Sequence, residues 1–191
     1  MTKKYELVLD DTISFWGWKL FRIRALISFG SVEVGDLGGY IEKEENLSHD
    51  GNAWVSGDAE VWGNAKVSGD AKVSGDAKVS GNAKVSGDAK VSGDAKVSGD
   101  AKVSGNAEVS GNAEVWGNAK VSELGDLIVF KNHWSSGRHF TYTKSNKMWK
   151  VGCFYGTGQE LIEKAYRDSE KSGNYYKAYV DFVENLEKLG D

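Results

Sequence analysis

Residues 67–90 read VSGDAKVSGDAKVSGNAKVSGDAK, which is four copies of one six-residue unit, and this stretch decides the fold. The same unit, Gly-(Asn/Asp)-Ala-Xaa-Val-(Ser/Trp), runs twelve times without insertion or deletion from Gly51 to Ser122. A period of six residues is too short for helical repeats and too regular for an open sheet. It predicts a parallel β-solenoid, in which each copy makes one short strand and one corner.

Each copy separates its alanine and its valine by one residue, usually lysine. In an extended segment the alanine and valine therefore face inward, and the residue between them faces solvent. Ser-Gly-(Asn/Asp) supplies the corner, because glycine accepts positive φ and Asn or Asp tolerates left-handed backbone. If three copies make one coil, the array has about four regular coils, and residues 18 apart stack. The predicted stacks are Trp54, Lys72, Lys90 and Glu108 on face one, Glu60, Lys78, Lys96 and Glu114 on face two, and Lys66, Lys84, Lys102 and Lys120 on face three.

The repeat resembles the hexapeptide of left-handed β-helix proteins, in which an aliphatic residue is followed four positions later by a small one. This resemblance covers residues 51–122 and implies a left-handed parallel β-helix with three hexapeptides per triangular coil. The flanks add a second resemblance. The segments RIRAL from residue 22, GDLGGYIE at 35–42, LSHDGNAWV at 47–55 and VGCFYGTGQE at 151–160 are similar to poorly characterised hexapeptide-repeat proteins of bacteria and their phages.

The chain divides into three predicted parts. Residues 1–50 form an N-terminal β cap and a degenerate first coil, residues 51–122 form the regular β-helix, and residues 123–191 form a small α+β module. Both flanks answer a physical need, because an uncapped solenoid leaves strand edges open to end-to-end association.

Within these flanks several elements can be predicted. Alternation in residues 5–9 predicts a strand that Asp10 and Asp11 end with a turn. In the C-terminal part, residues 139–143 and 147–154 predict a hairpin, and Thr157 with Glu160 fits the capping box of a helix. A turn at residues 172–174 then precedes a second helix. The apolar face predicted for that helix consists of Tyr175, Tyr179, Phe182, Val183 and Leu186.

Composition excludes several classes of partner. The formal charge of -4 gives no general attraction to nucleic acid or to an anionic membrane, and the lysines of the array have acidic corner neighbours, so neither partner is expected. No stretch approaches the roughly 20 apolar residues of a membrane span, and no signal peptide is recognised. Cys153 is the only cysteine and cannot make an internal disulfide, which suits a reducing compartment. We expect a cytoplasmic protein.

The first functional hypothesis, an acyltransferase that uses an acyl-CoA donor, comes from the resemblance. Enzymes of that class are typically trimeric and place a general-base histidine near a cleft between subunits. The twelve copies contain no histidine, and His49, His133 and His139 lie outside them. Zinc spacing, phosphate loops and nucleophile motifs are also missing from the sequence, and Cys153 is predicted to be a buried small residue. The sequence therefore predicts no catalytic residue, metal or cofactor.

The second hypothesis, which we favour, is a non-enzymatic interaction or assembly protein that binds a protein partner. The candidate contacts are aromatic residues at the ends of the array and an Arg/His/Trp patch after it, since Trp and Arg are common interface anchors. The alternatives are cap packing for the tryptophans of the array and an ordinary exposed loop for the histidines. The candidates are Trp54, Trp62, Trp116, His133, Trp134, Arg138 and His139.

Oligomeric state and biological context stay open in the sequence. Related solenoids often trimerise through their faces, but lysine-rich faces repel parallel copies of themselves unless acidic residues interleave. A homo-oligomer is thus compatible with the sequence without being required. If the gene is phage-borne, an antagonist of a host factor or of a defence system is the specific case of the second hypothesis.

Overall fold

The computed structural model describes residues 2–189 and shows a parallel β-solenoid with strands added at its N-terminal end and an α+β module at its C-terminal end. Strands 18 residues apart pair in parallel and build three walls. The solenoid has about five turns, one more than the four regular coils predicted. The additional turn is the degenerate coil, whose Leu37–Ile41 strand pairs with Glu60–Val61 and whose Leu47 bridges to Val67.

The strands in chain order are β1 Tyr5–Phe15, β2 Trp18–Ala25, β3 Leu37–Ile41, β4 Trp54–Val55, β5 Glu60–Val61, β6 Lys66–Val67, β7 Lys72–Val73, β8 Lys78–Val79, β9 Lys84–Val85, β10 Lys90–Val91, β11 Lys96–Val97, β12 Lys102–Val103, β13 Glu108–Val109, β14 Glu114–Val115, β15 Lys120–Val121, β16 Leu127–Lys131, β17 His139–Thr143, β18 Met148–Val151 and β19 Phe154–Gly156. The helices are α1 Gly158–Asp168 and α2 Glu170–Leu189, and short 3-10 turns cover Glu44–Asn46 and Leu124–Asp126. The sheets run β1-β2-β3-β5-β8-β11-β14, β13-β10-β7-β4, β15-β12-β9-β6 and β16-β17-β18-β19.

The predicted period of 18 residues and the three faces are confirmed by the register of the strands. Lys90 pairs with Lys72 and Glu108, Lys96 with Lys78, and Lys102 with Lys84. Every alanine and valine of the array is almost fully buried in one continuous core. The alternation of small inward and charged outward residues thus produces a filled prism.

The corners explain why glycine recurs in every copy. Gly87 has a φ of +68°, and a Cβ at this position would lie 2.9 Å from the backbone nitrogen of Gly105 in the next coil. Only glycine combines that backbone conformation with so close a stack. The neighbouring amides form a ladder along one corner, where Asn64 Nδ2 donates to Asn82 Oδ1 at 3.1 Å and Asn82 Nδ2 donates to Asp100 Oδ1 at 3.0 Å.

The N-terminal region is one long hairpin, which corrects the predicted turn at residues 10–11. Strand β1 continues from Tyr5 to Phe15, and its pairing with β2 is interrupted by a bulge between Val8 and Thr12. The chain reverses at Trp16 and Gly17, which have φ angles of +46° and +88°. A two-residue loop with positive φ at both positions matches the twist of an antiparallel pair of strands. The bulge accommodates the two acidic residues within β1, so they do not end the strand.

The C-terminal module packs a four-stranded antiparallel sheet against α1 and α2. The predicted hairpin is confirmed, since β17 pairs with β18, and so is the capping box of Thr157 and Glu160. The predicted turn at residues 172–174 is wrong, because α2 begins at Glu170. The chain breaks between the helices at Ser169, which is extended, and Gly173 lies within α2, in contact with the Tyr166 ring.

The face of α2 that packs inward is not the face predicted. The buried residues are Gly173, Tyr176, Val180 and Val183, so of the predicted face only Val183 is buried, while Tyr179 is half-buried and packs against the same core. Tyr175, Phe182 and Leu186 are exposed. Helix α2 carries two adjacent apolar stripes, and sequence periodicity does not decide which of them meets the core.

Candidate functional site

Side-chain donors close the N-terminal end of the solenoid. In the array, backbone N–H groups donate to carbonyls of the following coil, and the short degenerate coil supplies such donors to only some carbonyls of the first regular coil. Lys4 Nζ donates to Ala53 O at 2.8 Å and Asn46 Nδ2 donates to Ala65 O at 2.8 Å. Tyr5 Oη donates to Leu47 O at 2.7 Å.

Burial of this cap changes the ionisation of its residues. Burial lowers the pKa of Lys4 to about 8, against the opposing effect of nearby Asp50 and Asp70. Burial also raises the pKa of Tyr5, and the adjacent Glu44 adds to the effect. Both residues therefore stay in their hydrogen-bonding forms at neutral pH.

Acceptors close the opposite end, where the last coil has free N–H groups. The backbone N–H and hydroxyl of Ser122 donate to Asp126 Oδ2 at 2.7 and 2.8 Å, and Lys120 N–H donates to Ser145 Oγ at 2.8 Å. Burial tends to raise the pKa of Asp126, but the hydrogen bonds from Ser122 and Glu123 hold it below its usual value. The N-terminal flank thus supplies hydrogen-bond donors to free carbonyls, and the C-terminal flank supplies acceptors to free N–H groups.

The tryptophans at the ends of the array pack against these caps. Trp54 is 7% exposed beneath Tyr5 and Phe29, which leaves little of it for a partner. Trp62 is half-buried, with its ring edge-on to Phe15 at 5.4 Å. Trp116 is 37% exposed and contacts residues of the C-terminal module. This arrangement is the cap-packing alternative, and it leaves Trp116 as the most accessible of the three.

The patch predicted after the array is split in two. Trp134 packs against α2, stacked on Tyr175 with ring centroids 4.7 Å apart. His133 lies beside it, with its Nδ1 atom 3.4 Å from Tyr179 Oη. The buried Nε1 of Trp134 has no hydrogen-bond partner among the described residues. The Trp134 and His133 half therefore belongs to the packing of the helical layer.

The other half, Arg138 and His139, lies in a groove facing the solenoid. Successive strand residues point to opposite sides of a sheet, so His139 is directed away from the layer that buries Phe140. The groove also includes Lys96, Glu114 and Cys153. Cys153 is exposed, which corrects the prediction of a buried residue, because the Gly152–Cys153 segment is the turn between β18 and β19.

His49 belongs to the N-terminal cap. Its ring stacks on Tyr5 at 4.4 Å, and its Nδ1 accepts a hydrogen bond from the Lys4 backbone N–H at 3.2 Å. Its Nε2 lies 3.7 Å from a Glu44 carboxylate oxygen. These contacts orient the ring within the cap, and none of them directs it toward an acceptor hydroxyl or amine.

Faces one and two carry ion pairs between coils. Lys78 Nζ lies 2.9 Å from Glu60, Lys90 Nζ 3.1 Å from Glu108, and Lys96 Nζ 3.4 Å from Glu114. Within residues 2–189, the lysines of face three make no such pair. Exposed pairs of this kind add little stability, so these contacts mainly neutralise two of the three faces.

Sequence reasoning missed two features of the ends. Trp16 is 98% exposed at the tip of the β1–β2 hairpin, and Lys4 is 1% exposed. The Trp-Gly pair between two alternating runs is a readable signal for the hairpin tip. Nothing in the local sequence distinguishes the buried Lys4 from its exposed neighbour Lys3, because burial depends on the open carbonyls of a coil about 50 residues away.

The described residues contain no cluster of three or more His, Cys, Asp or Glu side chains that could hold a metal ion. Neither helix of the described chain has the length and apolar character needed to cross a membrane.

No protein-family model matches the chain, and no curated protein matches its sequence.

Proposed function

We propose that the chain is a non-enzymatic interaction or assembly protein, in which the solenoid holds two terminal modules at a fixed separation for a protein partner. The distribution of exposed large apolar side chains carries this proposal. Seven lie before the array, seven lie after it, and Trp116 is the single one within it. They are Leu9, Trp16, Trp18, Leu26, Ile27, Val34 and Leu37 before it, and Leu124, Val129, Tyr166, Tyr175, Phe182, Leu186 and Leu189 after it.

The array supports this role by its rigidity. Its core positions are filled, its corners stack glycine on glycine, and its coils are joined by a continuous ladder of backbone hydrogen bonds. A rod of this kind transmits position and orientation from one end to the other. Recognition then falls to the ends, where apolar surface is exposed.

The N-terminal hairpin offers the clearest anchor for a partner. Pairing of Phe15 with Trp18 and of Ser14 with Lys19 holds the Trp16–Gly17 loop in place. The Trp16 ring therefore extends into solvent from a rigid strand pair, with Trp18 38% exposed beside it. A tryptophan held in this way loses little conformational freedom on binding, and such residues dominate many interfaces.

The finer assignment rests on resemblance. We place the chain among hexapeptide-repeat left-handed β-helix proteins of bacterial or phage type, with terminal modules at residues 1–50 and 123–191. Within that class, the specific role that we propose is antagonism of a host factor or of a defence system. The exposed residues at the ends support this role over acyl transfer, because they offer contact surface without a positioned general base.

A Trp16→Asn variant tests the proposal without disturbing the loop, since Asn-Gly is favoured in this type of hairpin turn. Proteins of the source cell that the immobilised chain retains would be quantified by mass spectrometry after cross-linking. We expect a specific set to fall roughly tenfold or more with Trp16→Asn. An Arg138→Ala, His139→Ala variant examines the groove in the same way.

The matched control is Lys72→Ser on face one, which should leave recovery unchanged. Equal recovery from wild type and from both end variants would contradict the proposal. Saturable binding of acyl-CoA to the purified chain would instead favour the acyltransferase hypothesis.

A further inference from the structure

Helix α2 carries a second apolar stripe with the spacing of a coiled-coil seam, and its C-terminal half is free: Tyr175 and Tyr179 pack against Trp134, whereas the three later members are exposed. Its members follow one another at intervals of four, three, four and three residues, which is the pattern that packs one helix along another. Phe182 is 51% exposed and Leu189 is 84% exposed. The stripe consists of Tyr175, Tyr179, Phe182, Leu186 and Leu189.

Strand β16 is an open edge of the C-terminal sheet. Asp126 O accepts from Lys144 N–H and Asn132 N–H donates to Arg138 O, so even-numbered residues of this segment bond toward β17. By the alternation of an antiparallel ladder, residues 127, 129 and 131 direct their N–H and C=O groups outward. No strand of the described chain pairs with that side of β16.

The stripe and the open edge lie along the same margin of the module. Phe130 of β16 contacts Tyr179 and Phe182 of α2, with ring centroids 5.0 and 6.4 Å apart. A groove between Leu124 and Leu186 continues the same margin. Unpaired strand edges and exposed apolar stripes are both surfaces that proteins normally cover.

We propose that a second copy of this chain covers this margin, with β16 pairing antiparallel to its own copy across a twofold axis at Val129. In that register Lys131 faces Leu127 of the copy, so no two lysines oppose one another. The helices then run antiparallel, and the positions flanking the stripe on the side of the copy are Ala178 and Asn185. Apart from Lys131, Lys144 and Glu187, the margin is apolar or uncharged, so most of it can pack against its own copy, as a twofold interface requires.

This inference rests on the proposed role of the ends, because it assigns the C-terminal end to self-association and leaves the N-terminal hairpin for another protein. The failures of the two proposals are distinguishable. A monomeric chain that still loses partners with Trp16→Asn would overturn the dimer alone.

Sedimentation velocity of the full chain at increasing concentration tests the dimer. We expect a species of twice the 20.8 kDa of one chain. The variant Phe182→Glu, Leu186→Glu should weaken association by roughly 30-fold or more, because it buries like charges at the centre of the interface. Leu9→Glu, at a residue 73% exposed on the N-terminal hairpin, is the matched control and should leave the dimer intact.

A cysteine placed on the axis tests the register. In a hydrogen-bonded antiparallel pair the two Cα atoms lie about 5.5 Å apart, within the range of a disulfide. Val129→Cys in a Cys153→Ser background should therefore form an interchain disulfide on mild oxidation, whereas Leu9→Cys in that background should not. The proposal is overturned if the chain stays monomeric, if the dimer persists with both glutamates, or if the stripe is needed only for binding a different protein.

Discussion

At the scale of single residues, the ends of the solenoid depend on side chains that replace a missing coil. Lys4 and Asn46 supply donors where carbonyls are free, and Asp126 and Ser145 supply acceptors where N–H groups are free. A buried ammonium group is costly unless it is hydrogen-bonded, and here it bonds to the carbonyls of Gly51 and Ala53. The same hydrogen bonds therefore satisfy both the buried ammonium group and the carbonyls that no backbone N–H reaches.

The depressed pKa of Lys4 predicts a pH dependence of stability. Below pH 8 the folded and unfolded states both carry the proton, and the full cost of burying the charge is present. As pH rises from about 8 toward 10.5, the folded state releases its proton first, so this residue's contribution to the free energy of unfolding increases. Over this pH interval the free energy of unfolding of wild type should rise relative to that of Lys4→Met, by roughly 3 kcal/mol at most.

Urea unfolding of both proteins at several pH values, followed by tryptophan fluorescence, would measure this difference. Tyr5 is present in both proteins, so its own titration contributes to both curves. Lys3→Met is the matched control for loss of a positive charge at the same end. Parallel stability curves for wild type and Lys4→Met would show that Lys4 keeps its proton in the folded state.

At the scale of elements, Gly173 decides how closely the two helices approach. A Cβ at this position would lie 2.2 Å from the Tyr166 ring. Alanine is favoured over glycine in a helix by about 1 kcal/mol, so propensity alone predicts that Gly173→Ala stabilises the protein. We expect the opposite, a loss of about 1–3 kcal/mol, because the ring must leave its packing position and its hydrogen bond to Asn174.

Thermal unfolding of Gly173→Ala and of the neighbouring Ser172→Ala would check the sign. A raised melting temperature for Gly173→Ala would mean that the Tyr166 ring swings into solvent without cost. The double variant Gly173→Ala, Tyr166→Ala should recover part of the loss, because the smaller side chain removes the clash.

The same elements show how far the sequence predicts the structure. The array was predictable residue by residue, because each inward position is apolar and each corner needs glycine. In the flanks, the same residues are compatible with more than one structure. Ser172–Asn174 is typical of a turn, but in the structure its glycine lies within α2 and allows the two helices to pack closely. Likewise the acidic pair at residues 10–11 forms a bulge within β1. The placement of Arg138 and His139 away from Trp134 depends on strand alternation, which requires the strand boundaries.

At the scale of the whole molecule, the solenoid fixes both the distance and the rotation between its ends. Removing residues 69–86 deletes one full coil, because stacked residues are 18 apart. We expect this variant to fold and to bring the ends about 4.8 Å closer without rotation. Removing residues 69–74 alone should turn the C-terminal module by one third of a turn.

Distances between spin labels at Trp16→Cys and Gln159→Cys, in a Cys153→Ser background, would separate these outcomes. The 18-residue deletion should shorten the distance slightly, and the six-residue deletion should change it through rotation. Circular dichroism should show both variants folded. Loss of folding in the 18-residue deletion alone would contradict a solenoid in which each coil contacts only its neighbours.

The hydrogen bonds of Lys4, Asn46, Asp126 and Ser145 reach only the first and last coils of the array. Three of the twelve copies make one coil, so gain or loss of three copies adds or removes one coil. Such changes alter the number of coils but leave Lys4, Asn46, Asp126 and Ser145 with the same bonding partners. Changes of three copies therefore adjust the separation of the two ends in steps of one coil without rotating them, while the exposed apolar surfaces at either end can change independently.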